Sequence, residues 1–331
     1  MSTPEVARNA RLEAQQLLGD GYRARVLEPS PPAVLDDDSF ADDPVAIDGA
    51  PRGAPLLSPV AGGDLTWQQW LDGHPEHGDW AAARWLGSYP RLTPPPPTFA
   101  ATRSALHRVA VYVVSPSRRR VNTKIGLRFT LGGFGTPFFA GVRGDEQLRV
   151  VGGDLVRQVG DTATVEPIST LNQSSASALE GPPDVAWAEG FDVPPPGDPD
   201  EPLAIDPAAA HLLGQWIGFS WSVLEAVRAD AASIEPSRVQ LWPEHFDAAF
   251  DCLAGHLRRA VTFGASPGDA GVHEPYLYVL PADFDALAPS ELWNAQGFDG
   301  AVLPLRELID QPDQRAAALG FFRDRRSLVG G

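Results

Sequence analysis

Three residue types are almost missing from this chain of 331 residues: it has one cysteine, one methionine and one lysine. A single cysteine, Cys252, excludes an intramolecular disulfide and any multi-cysteine zinc or iron–sulfur site. Its expected role is that of a small buried hydrophobe. Lys124 stands alone among 26 basic residues, so the other 25 are arginines. With abundant Ala, Gly and Pro, this bias points to GC-rich coding and weakens any arginine cluster as evidence of a binding site. Long apolar runs are also missing. Met1–Gly21 has no hydrophobic core of a signal peptide. The most apolar stretch, Leu212–Val227, is broken by Gln215, Ser220, Ser222 and Glu225 and is too short to span a bilayer. A soluble, cytoplasmic protein with no membrane partner is expected.

Acid outweighs base, 43 residues to 26, for a net charge of -17. Phosphate backbones repel such a chain, so no nucleic-acid partner is expected. The acid is concentrated. Glu28–Asp48 carries seven acidic residues and Glu180–Asp206 carries eight, with no basic residue in either. These two stretches hold -15 of the -17, which leaves a nearly neutral body. Both are rich in proline. Proline removes backbone donors and like charges repel, so both read as extended, solvated connectors. The domain reading is therefore a short helix (Glu5–Leu18) and an acidic segment over 1–63, then one domain over 64–331 with 180–206 as an internal loop.

Within 64–331, Trp67, Trp70, Trp80 and Trp85 suggest a packed helical hairpin. Ala105–Val114 fits helix or strand equally. Lys124–Thr130 alternates as a half-buried strand does, and Gly152-Gly153-Asp154 separates two strand-like runs as a hairpin. Thr170–Leu179 reads as a short helix capped by a hydroxyl. Asp206-Pro207 opens the clearest helix, with Leu213, Ile217, Leu224 and Val227 on one stripe. Short strands follow at Arg238–Trp242, His245–Leu253, Arg259–Ala265 and Pro275–Leu280, and helix returns after Arg306 and Asp313. Helices and antiparallel strands without repeated βαβ units predict an α+β fold, antiparallel β-sheets packed with a few helices and joined by Pro/Asp-rich extended connectors.

Gly264-Ala-Ser266-Pro267-Gly268 matches the spacing of a hydrolase nucleophile elbow, but Pro267 lacks the N–H that would face an oxyanion, so a turn is expected. His74, Glu76, His77 and Asp79 have metal-type side chains, but Pro75 and Gly78 break the spacing into a turn, and no metal is assigned. Lys124 and Arg128 beside Gly133 and Gly135, with Trp242 opposite, form a candidate anion cradle, although no P-loop or dinucleotide motif is present. His245, with Glu244, Asp247 and Asp269, forms a candidate acid/base group if the two strands lie side by side.

Long strings such as Trp80-Ala-Ala-Ala-Arg-Trp-Leu-Gly, Gly132-Gly-Phe-Gly-Thr-Pro-Phe-Phe and Leu241-Trp-Pro-Glu-His-Phe-Asp resemble a group of uncharacterised actinobacterial proteins over about residues 64–331. The resemblance implies one structural unit and brings no activity, cofactor or site residue. The leading expectation is a binding domain for a small ligand, an anion being one candidate, with no cofactor. The alternatives are a cofactor-independent enzyme using His245 and a protein-interaction module acting through the acidic segments.

Overall fold

The computed structural model describes residues 91–331 except 131, 138, 142–143, 160–161 and 229. The expected N-terminal helix, the first acidic segment, the tryptophan hairpin and the His74–Asp79 turn lie outside the described residues. Among the described residues no helix is long and apolar enough to cross a membrane.

The ambiguous Ala-Val-Tyr-Val-Val run is helical. Helix α1 (Phe99–Val109) passes through a π-helical turn (Ala110–Val114) into α2 (Ser115–Asn122). The turn has a cause in the sequence. Pro116 has no N–H to give the preceding turn, and the Ser115 N–H reaches back to the Ala110 carbonyl instead. The Val111 and Tyr112 carbonyls then need other donors. Trp187 Nε1 donates to Val111 (2.9 Å), and the Asp184 N–H donates to Tyr112 (3.2 Å). Both donors belong to the acidic segment 180–206. Its acidic side chains are mostly exposed, as the charge pattern requires, but its backbone is tied to the body. Trp187 is buried, Tyr112 donates to the Pro194 carbonyl, and Leu203 N–H donates to Ser169. The segment is therefore a strap rather than a free connector.

The first sheet contains β1 (Arg128–Thr130), β2 (Gly133–Gly135), β3 (Phe139–Gly141), β4 (Gly144–Val151), β5 (Asp154–Val159) and β6 (Thr162–Pro167). The strands are antiparallel in the order β1-β2-β4-β5-β6, with β3 on the other end of β4. Helix α3 (Leu171–Leu179) follows, with the Thr170 hydroxyl accepting from Gln173 N–H. Helix α4 (Pro207–Arg228) leads into the second sheet: β7 (Ser233–Ile234), β8 (Gln240–Trp242), β9 (Asp247–Ala254), β10 (Arg259–Ser266), β11 (Tyr276–Pro281) and β12 (Ala301–Pro304). Its antiparallel order is β12-β11-β10-β9-β7, with β8 also on β9. Helices α5 (Leu305–Ile309) and α6 (Gln314–Gly330) close the chain, the latter capped by Asp313.

Sixteen of the 22 residues of α4 are buried, so this helix is enclosed rather than laid on a surface. It packs on β1, β2 and β4 of the first sheet, on β9 and β10 of the second, and on α1 and α6. Its interior serines are satisfied within the helix: Ser220 donates to the Trp216 carbonyl and Ser222 to that of Phe219. Leu127, just ahead of β1, and Leu241 of β8 exchange two backbone hydrogen bonds of 2.8 Å, which joins the two sheets edge to edge. One hydrophobic cluster runs through both halves. Cys252 lies in it as a buried thiol, pushed up to about 11 by burial.

The seam is tight at Gly214, where a Cβ would stand 2.4 Å from the Gly132 carbonyl oxygen and 3.3 Å from Gly133 Cα. Gly→Ala inside a helix ordinarily gains up to about 1 kcal/mol. Here the added methyl meets backbone, and overpacking of this kind costs about 1–3 kcal/mol. Gly214→Ala is therefore expected to be net destabilising, read as a lower urea midpoint at unchanged m-value.

Candidate functional site

Helices α4 and α6 cover one face of the second sheet. Strand alternation sends Ala248, Phe250, Cys252 and Ala254 to that side, and Asp247 and Asp251 to the other. The opposite face is polar, and at one end it holds a network. From β11, Tyr276 donates to Asp269 Oδ2 (2.6 Å) and Tyr278 donates to Asp247 Oδ2. The two rings are neighbours, with centroids 6.2 Å apart. Gly264 gives Tyr278 its room, since a Cβ there would fall 2.1 Å from the phenol Cζ. Ser266 Oγ accepts from Gly268 N–H (3.1 Å), so in the Gly264–Gly268 string the first three residues end β10 and Pro267-Gly268 form a serine-capped turn, with Gly268 at φ +99°.

The two carboxylates sit in opposite environments. Asp269 is exposed. Partial burial works against its ionisation, but the Tyr276 hydroxyl, the Val272 and Gly271 N–H groups and the Arg103 charge outweigh it and hold the carboxyl below its ordinary range. Asp247 is buried. Loss of solvent pushes its carboxyl up, the Tyr278 bond and the His245 charge oppose this, and the Glu244 charge adds to it. Glu244 is buried as well. Oε2 of Glu244 and Oδ1 of Asp247 are both buried without a hydrogen-bond donor from another described residue. Burial, followed by the adjacent carboxylates, raises both phenols, which keeps them as donors.

A histidine that the sequence reading did not single out, His107, packs against the Pro243–Phe246 turn beside this network. His107 lies on α1, one turn after Arg103. Its ring stacks on Phe246 (4.9 Å between centroids, 8° between planes), and Nε2 lies 2.8 Å from the Pro243 carbonyl oxygen. Burial pushes it down to about 4, so it is a neutral donor. His245, expected at the head of a strand, is instead exposed on the turn between β8 and β9. The reason is Phe246, which adopts φ +56° and turns its ring inward against His107 and Phe134. Glu244 and Asp247 follow the ring inward, and His245 is left outside. Of the proposed acid/base group, Asp247 and Asp269 accept the two tyrosine hydrogen bonds and Glu244 is buried beside Asp247, while His245 is exposed yet close enough for its charge to act on Asp247.

The two glycines of the candidate anion cradle are enclosed by backbone. Gly133 and Gly135 are buried in β2, where a Cβ would lie 2.1 Å from the Val150 carbonyl oxygen and 2.4 Å from that of Leu148. Their smallness serves backbone packing. The Arg128 guanidinium lies over Trp221 at 5.9 Å. Arg118 is buried and donates to the Gly126 carbonyl, and Arg120 donates to that of Leu179. Lys124 precedes β1, and Trp242 ends β8; both are half-buried. None of Lys124, Arg128, Gly133, Gly135 or Trp242 lines the cleft that opens beside the tyrosine network.

That cleft has a volume of about 1170 Å³. One wall is the Pro95–Pro97 run with Phe99 and Ala100. A second is the loop after β10, with Asp269, His273 and Glu274, backed by Tyr276. The third comes from the β11–β12 loop and α5, with Asn294, Phe298, Arg306 and Glu307. Asn294 grips the backbone of Val302 on both sides, accepting from its N–H (2.9 Å) and donating to its carbonyl (3.0 Å), which fixes this loop on the β12 edge. Arg306 bonds Glu274 through both its guanidinium and its backbone N–H. In the sequence Pro275–Leu280 reads only as a short strand, with no chemistry assigned to Tyr276 or Tyr278. The i, i+2 tyrosines on a strand and the i, i+4 Arg103/His107 pair on a helix were the available signals. Among the described residues no cluster of His, Cys, Asp and Glu has the makings of a metal site.

Two pH dependences follow, of opposite sign. His107 binds its proton less readily folded than unfolded, so stability is lost as pH falls from about 6.5 towards 4, by at most about 3 kcal/mol. Relative to the wild type, His107→Phe is expected to flatten that loss in urea titrations at successive pH values. Asp247 binds its proton more readily folded than unfolded, so its contribution falls as pH rises above its ordinary value of 3.8. Asp247→Asn is expected to match the wild type near pH 4 and to exceed it increasingly towards pH 8; a gap independent of pH would contradict this.

Comparison with protein-family models, curated proteins and solved structures finds no match to this chain.

Proposed function

We propose that this chain is a binding module for a small organic molecule, held in the cleft between the Pro95–Pro97 run, the loop after β10 and the β11–β12 loop. The carrying observation is the cleft itself. At about 1170 Å³ it is somewhat larger than the usual ligand pocket, and it combines apolar walls (Phe99, Phe298, Val302, Pro304) with a few fixed polar groups (Tyr276, Asp269, Asn294). Those polar groups are held by internal hydrogen bonds, so little order has to be gained on binding. The acid/base reading through His245 has no comparable support, because that ring is exposed on a turn.

Gly297 provides a direct test. It lines the cleft, and a Cβ added there meets nothing within 4 Å. Gly297→Trp is expected to fill the cleft mouth without disturbing the fold. A thermal-shift screen of metabolites should give hits with the wild-type chain that vanish in Gly297→Trp, while the melting temperatures without ligand coincide. Hits that survive the substitution would place binding elsewhere, and a blank screen with an intact fold would remove the proposal.

A further inference from the structure

The walls of the cleft narrow the class of ligand, given the reading of the cleft as a ligand site. We propose that it takes an uncharged aromatic molecule that carries a hydroxyl or amide group. The charges on the walls are matched. Three carboxylates line the opening, Asp269, Glu274 and Glu307, and each has a guanidinium for a neighbour. Arg103 Nη2 donates to the Asp269 backbone carbonyl (3.3 Å), and its charge acts on the Asp269 carboxyl. Arg306 is bonded to Glu274, and Arg325 is close enough for its charge and that of Glu307 to act on each other. A charged ligand therefore finds no unmatched partner among the described residues of these walls. It has to shed water to enter, and that cost is not returned. An uncharged ligand avoids the cost.

Ring surface is what the walls offer instead. Pro95–Pro97 and Phe99 form one wall, and Tyr276 and Phe298 belong to the other two. The Tyr276 and Tyr278 rings are neighbours, and Phe298 meets Tyr278 in a T-shaped pair (6.3 Å between centroids). Phe298 is 37% exposed, so this run of rings ends at the opening with one ring open to a further partner. A planar ring added to the run gains an edge-to-face or offset contact beyond the area it buries, and its remaining surface packs on the proline wall. Two polar groups of the lining are left over. The Gln296 amide makes no hydrogen bond with another described residue. The His273 ring uses Nδ1 at the Asp269 carbonyl (3.3 Å), which leaves Nε2. A hydroxyl or amide on the ligand suits both, because it donates as well as accepts.

The test uses three probes that share one ring system and differ in charge: naphthylethanol, naphthylethylamine and naphthylacetate, substituted at the same ring carbon. Each is titrated calorimetrically into the full chain, Gly297→Trp and Phe298→Leu. The alcohol is expected to bind at least about tenfold more tightly than the amine or the acid. Its affinity should hold as NaCl rises from about 50 to about 500 mM, because no charge on the ligand is there to be screened. Phe298→Leu keeps the side chain apolar and removes the ring. It should weaken the alcohol about two- to tenfold while the circular dichroism spectrum stays that of the wild type. If the amine or the acid binds as tightly as the alcohol and Gly297→Trp removes it, the inference fails and the cleft reading stands. The same holds if Phe298→Leu leaves the affinity unchanged, or if none of the three binds while metabolite hits vanish in Gly297→Trp. If none binds and the metabolite screen is blank, both fail. Alcohol binding that Gly297→Trp leaves intact also overturns the inference.

Discussion

Burial of α4 between two sheets is the constraint on which the rest of the architecture depends. A helix covered on several sides must be apolar nearly all round, and its two interior serines turn their hydroxyls back onto carbonyls of the helix itself. It must also permit close approach, which Gly214 provides against Gly132 and Gly133. Once α4 is in place, the edges of the two sheets meet at Leu127 and Leu241, and pairing there satisfies backbone groups that an open edge would expose.

The same packing explains why chemistry gathers on the far face of the second sheet. Helices α4 and α6 take the apolar face, so polar residues at alternate positions of β9, β10 and β11 point the other way. At one end α1 and the loop after β10 partly cover them. Coverage then decides protonation. Tyr276–Asp269 and Tyr278–Asp247 are the same pair of residue types two positions apart on one strand, yet donor N–H groups keep the first carboxyl ionised, and burial beside Glu244 favours the proton on the second.

Much of the fold was legible because its signals are local. Asp206-Pro207 and Thr170 start helices by capping, which needs only the next three residues. The Gly152-Gly153-Asp154 turn sets the β4–β5 pairing. The antiparallel α+β class follows from strand length and punctuation. The candidate site was less legible. Glu244, Asp247 and Asp269 carry chemistry in the sequence as they do in the structure, but His107 and Arg103 lie more than 130 residues before Glu244, on a helix that periodicity could not separate from a strand. The glycine–arginine segment misled because glycine for backbone packing and glycine for an anion look alike in one dimension.

By itself the sequence determined the fold class, the caps, the hairpin and the concentration of acid in two stretches, because each rests on neighbouring residues or on simple counts. Only the tertiary structure decided the rest. It bound the second acidic stretch to the body, because a π-turn ahead of Pro116 frees two carbonyls that Trp187 and Asp184 fill. It put His245 outside and His107 inside, because Phe246 takes a positive φ and draws its ring into the core.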